Sequence, residues 1–151
     1  MKKSLPWLFF MVIVVVSSCN TSNTSSEQLI ETPKSDGEIK DELYQEVIEV
    51  HDIAMLKLQT IMTLKSAAIK EADSLRDLGD EVQADRIEEL EKSELSLEEA
   101  NKSMMMWMRA FRSPADSVSH EKAMEYLRSE YDKIAKVDSL MDQVVENAKA
   151  L

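Results

Sequence analysis

Glycine is nearly missing from this chain. Its 151 residues include 2 glycines and 3 prolines, and after Gly37 only Gly79 and Pro114 can interrupt a regular backbone. That shortage excludes a glycine-rich phosphate loop and a nucleophile elbow. The single cysteine, Cys19, excludes an internal disulfide and a cysteine-rich zinc site. With 2 histidines far apart, His51 and His120, the paired-histidine helix motif of zinc hydrolases is absent as well. Serines, aspartates and glutamates are plentiful but fall at ordinary solvent-face spacings, so the sequence predicts no enzyme. Basic residues are also few, 18 against 29 acidic ones. A surface so acidic argues against nucleic acid and against lying flat on anionic lipid.

What is present begins with an address. "MKKSLPWLFFMVIVVVSSC" has two lysines, an apolar run from Leu5 to Val16 broken only by Pro6, and small residues before Cys19. This is the pattern of a secretory signal, too short for a membrane span. "VSSC", Val16 to Cys19, resembles the bacterial lipobox, in which the signal is cut before a diacylglyceryl-modified cysteine. The resemblance implies a signal peptide over 1–18 and a lipidated Cys19 that anchors the chain to a membrane. Residues 19–37, rich in Ser, Thr and Asn, read as a flexible tether. No acidic run follows Cys19 closely. In lipoproteins of the Bacteroidota such a run resembles a surface-export signal, so its absence points to a periplasm-facing position. Removing Lys2 and Lys3 with the signal leaves 16 basic and 29 acidic residues, a net charge of −13.

Glycine ends helices and proline follows them, so Gly79 and Pro114 divide 38–151 into three segments, about 38–78, 80–111 and 119–150. Asp80 and Ser119 can cap the second and third starts. In the first segment Leu43, Val47, Val50, Ala54, Ile61, Leu64 and Ala68 form one stripe, with His51, Met55, Leu58 and Met62 beside it. The second offers Val82, Ile87, Leu90, Leu97, Ala100, Met104, Trp107, Met108 and Phe111, and the third Leu127, Tyr131, Ile134, Met141, Val145 and Ala148. Helical spacing without strand alternation, joined by short connections, predicts an all-α, antiparallel up-down-up three-helix bundle.

Antiparallel packing converts residue numbers into heights. With turns near 79 and 115, position x in the first segment lies level with about 159 − x in the second. Position y in the second lies level with about 230 − y in the third. His51 then faces Met108, Met55 faces Met104, and Met104 lies near Tyr126. His51–Met55 and His120–Met124 each span one helical turn, and both are predicted at the height of "MMMWM", Met104 to Met108.

That layer allows two readings. Methionine fills irregular cores and makes adaptable partner surfaces. Thioether sulfur with imidazole also suits Cu(I), a likeness in ligand type to periplasmic copper chaperones using Met, His and Trp. The candidate ligands are His51, Met55, Met104 and Met108, with Trp107, His120 and Met124 adjacent. No Cys-x-x-Cys-His is present for haem.

"VHDIAMLKLQTIMTLK" (Val50 to Lys65), "MMMWMRAF" (Met104 to Phe111) and "YLRSEYDKIAKV" (Tyr126 to Val137) together resemble small uncharacterised lipoproteins of the Bacteroidota labelled "viral A-type inclusion protein". The resemblance runs from about residue 40 onward and implies bundled or coiled helices, with no activity and no site residues to transfer. Where that family commonly has an acidic residue before the tryptophan, this chain has Met106. "DSV" at Asp116 resembles the Bacteroidota O-glycosylation acceptor, with Ser117 the acceptor in the one predicted loop that carries it. The expected function is a non-enzymatic envelope lipoprotein that binds a protein partner, or itself, through helix faces. The alternative is a Cu(I)-binding lipoprotein.

Overall fold

The computed structural model describes residues 33–79 and 83–151. The signal peptide, Cys19, most of the tether, Asp80 and Val82 lie outside them. The protein is an all-α three-helix bundle: α1 Asp36–Leu78, α2 Ala84–Ala110 and α3 His120–Lys149, with no strand among the described residues.

Helix α1 starts earlier than glycine placement suggests. Ser35 and Glu38 form a capping box: the Glu38 N–H donates to Ser35 Oγ at 3.3 Å, and the Ser35 N–H donates to Glu38 Oε2 at 2.8 Å. Gly37 therefore sits in the first helical turn and does not end the tether. At the other end Gly79 takes φ +65 and its N–H donates to the Arg76 carbonyl at 3.1 Å. A left-handed cap of this kind closes the helix because glycine has no Cβ to clash. Ser119 precedes α3 as expected, but its side chain makes no capping hydrogen bond.

In α1 the buried positions Val47, Ala54, Ile61 and Ala68 recur every seven residues. This seam, with small alanines at alternate steps, lets neighbouring helices approach closely. The main core joins Val47, Ala54 and Ile61 to Leu97, Ala100, Met104 and Trp107 of α2 and Ile134, Met141 and Val144 of α3. A second cluster, Ala68, Ala72 and Leu90, closes the end near Gly79. Tyr131, expected in the core stripe, is 37% exposed, while Glu130 beside it is buried and pairs with Lys133 at 2.7 Å.

Ion pairs report the heights. Lys65 meets Glu98 at 2.6 Å and Arg86 meets Glu71 at 2.8 Å, so α2 runs antiparallel to α1. Lys57 meets Asp138 at 2.7 Å and His120 lies 3.9 Å from Asp36, so α3 runs parallel to α1.

The second height rule needs correction. Tyr126 lies against Phe111, ring centres 6.3 Å apart, and accepts the Arg112 N–H at 2.9 Å. It is therefore level with Phe111 and not with Met104, an offset of seven residues or ~10 Å along the axis. The cause is the connection. Helix α1 begins eight residues before Tyr44, the residue whose ring faces Phe111. Residues 111–119 descend beside that overhang, with Asp116 3.6 Å from Lys40. Non-helical backbone covers up to ~3.3–3.6 Å per residue, against ~1.5 Å in a helix, so a rule assuming a tight turn fails.

Candidate functional site

The site is built on the wide apolar face of α1 where it meets the last turns of α2. His51 and Met55 are one turn apart on α1, and Met104, Trp107 and Met108 share a stripe of α2. The His51 ring lies 5.5 Å from the Trp107 ring, centre to centre, with planes tilted by 32°. Helix α1 thus brings His51 level with Trp107 and Met108. Met55, one turn on, lies between that pair and the Lys65–Glu98 bridge, level with Met104 and Met105.

His51 does not point to open solvent: its side chain is 19% exposed. Its Nδ1 lies 2.9 Å from Asp52 Oδ1. In a neutral ring, a carboxylate there accepts an Nδ1–H and leaves the lone pair on Nε2, the tautomer that serves a ligand.

The methionines divide by depth. Met104 is fully buried in the core, and Met55 is half-buried against it. Met105 is half-buried, while Met106 and Met108 are exposed. Trp107 is buried, and its Nε1 has no hydrogen-bond partner among the described residues.

His120 and Met124 do not join this layer. His120 is beside Asp36, fifteen residues before His51 on α1, which is ~22 Å along the helix. Met124 is buried near the same end of α3. The overhang that shifts Tyr126 also removes this second His–Met pair from the site.

An aromatic column stands where those residues were expected. Trp107 stacks on Phe111 with centres 4.8 Å apart, and Phe111 meets Tyr44 at 6.1 Å and Tyr126 at 6.3 Å. The signal was available in the i, i+4 spacing of Trp107 and Phe111 and the seven-residue spacing of Tyr44 and His51. Offset stacks of this kind add to area burial, about 0.5–1.5 kcal/mol per pair, so the column stiffens the floor beneath His51.

Among the described residues, no group of three or more His, Cys, Asp or Glu side chains is placed to hold a metal ion. The donor set of this layer is thioether sulfur with one imidazole. Ser117 is exposed in the 111–119 connection, whereas Ser74 and Ser139, which also follow an aspartate, donate to helix carbonyls one turn back. No described helix is long and apolar enough to cross a membrane. Comparison of the chain with protein-family models, curated proteins and solved structures yields no match.

Proposed function

We propose that this chain is a cell-envelope lipoprotein, anchored through a lipidated Cys19 and periplasm-facing, whose bundle is a non-enzymatic binding module for a protein partner or a second copy. The leader and "VSSC" support the anchoring. One observation carries the binding role: the outward face of α1 from Ile53 to Thr63 bears no charge.

Its exposed residues are Ile53, Leu56, Gln59, Thr60, Met62 and Thr63. In a chain with 31% charged residues, a run of this length without an exposed charge is a local departure. The one charged residue in the run, Lys57, is turned aside to Asp138 and Asp142 of α3. Leu56 is 79% and Met62 60% exposed. Exposed Ile53, Leu56 and Met62 with only uncharged polar residues between them match the depletion of charge found in interface cores, and the acidic surroundings supply a polar rim.

Two measurements test this. Intact mass and membrane fractionation should show acyl mass on Cys19 and release or stalled processing for Cys19→Ala; a soluble, unacylated product contradicts the anchoring. Ile53→Glu with Leu56→Glu should abolish association while leaving the unfolding midpoint nearly unchanged, because both side chains already face water. Association that survives the double change contradicts the binding face.

A further inference from the structure

We infer that the edge of the α1–α2 seam binds one Cu(I) ion through His51 Nε2 and the sulfurs of Met55 and Met108. This goes beyond the binding role proposed above and does not depend on it.

Three observations converge. First, the imidazole is oriented: Asp52 Oδ1 lies 2.9 Å from Nδ1, which leaves Nε2 as the ring nitrogen open to a ligand. Second, Nε2 has no hydrogen-bond partner among the described residues, and the His51 side chain is partly open to solvent, 19% exposed. Third, the neighbouring donors are soft. Met55 is one turn from His51 on the same face, and Met108 is adjacent in sequence to the Trp107 whose ring covers His51. Met108 is 39% exposed and Met55 half-buried, so both residues stand at the edge of the seam and not inside the core.

Chemistry selects the ion. One imidazole and two thioethers are neutral and soft, which suits Cu(I) and leaves Zn²⁺, Mg²⁺ and Ca²⁺ poorly served. Met104 is excluded from the ligand set because it is fully buried in the core and packs there.

The test uses the full chain with ¹³C-labelled methionine methyl groups, titrated with Ag(I) as a redox-inert stand-in and then with Cu(I) under reducing conditions. One equivalent should move the Met55 and Met108 methyl signals and leave those of Met62 and Met106 in place. X-ray absorption of the Cu(I) form should show one nitrogen and two sulfur neighbours. Met55→Leu with Met108→Leu conserves volume, so helicity should be retained while stoichiometric binding is lost; His51→Ala should also lose it, and Met104→Leu should keep it. The inference is overturned if no equivalent binds, if the Met62 and Met106 methyls move equally, or if binding survives the double change. Any of these leaves the α1 binding face unaffected.

Discussion

The imidazole of His51 and the indole of Trp107 lie ring against ring, 5.5 Å apart, across the α1–α2 seam. Trp107 then rests on Phe111 at 4.8 Å, so one buried indole supports both the candidate site and the aromatic column. Its Nε1 has no hydrogen-bond partner among the described residues, so its contribution to the fold is packing. Trp107→Ala should cost about 3–5 kcal/mol, as large-to-small core changes do. Trp107→Phe should cost clearly less, because no hydrogen bond is lost. Chemical unfolding of both variants checks this; equal losses would mean that the indole N–H has a role.

The height of α3 is the next expectation. Tyr126 sits against Phe111, seven residues from Met104. Nuclear Overhauser contacts should link the Tyr126 and Phe111 rings. A strong contact between Tyr126 and the Met104 methyl would restore the tight-turn register and contradict the described one.

Sequence reading reached the bundle because its strongest signals are periodic. The seven-residue recurrence of Val47, Ala54, Ile61 and Ala68 and the breakers Gly79 and Pro114 specify helices and their order. The pairing of His51 with the Met104–Met108 stretch was legible too, since only five residues separate α1 from α2. The position of His120 was not. It depends on how far nine non-helical residues descend along α1, and no periodicity encodes that distance. The capping box of Ser35 and Glu38 was written in the sequence, but Gly37 between them reads as a breaker. The burial of Glu130 in place of Tyr131 reflects a small rotation of α3 that a stripe of apolar residues does not determine.

Lys57 joins α1 to α3 through Asp138 and Asp142. Burial pulls its ammonium down, but hydrogen bonds to both carboxylates outweigh that, and its pKa ends above the ordinary lysine value. A raised lysine pKa stabilises the fold fully below the unfolded value, about 10.4, and the contribution is lost as pH rises through the folded value. Lys57→Met should cost about 1 kcal/mol at neutral pH, near the upper end for ion pairs with solvent access. The gap between wild type and variant should close at pH above the ordinary lysine range. A gap that widens there would reverse the assigned sign.

Gly79 holds φ +65 with open space where a Cβ would point. The cost of a side chain there is conformational and not steric against neighbours. Gly79→Ala should destabilise by about 1–2 kcal/mol, the penalty for a left-handed L-residue. Gly37, inside α1 with only Ser35 Oγ near its missing Cβ at 3.9 Å, should tolerate alanine without loss. Thermal unfolding of the two variants separates these outcomes; equal behaviour would contradict the cap assignment.

The central claim is that the uncharged outward face of α1 meets a partner in the cell envelope. The most direct measurement is site-specific photo-crosslinking in the native host, with the probe at Leu56 and, as control, at the exposed Lys136 of α3. The account predicts one discrete crosslinked species from position 56, either a second copy or one other envelope protein, lost when Ile53→Glu is added, and none from position 136. Equal labelling from both positions, or none from 56, would contradict it.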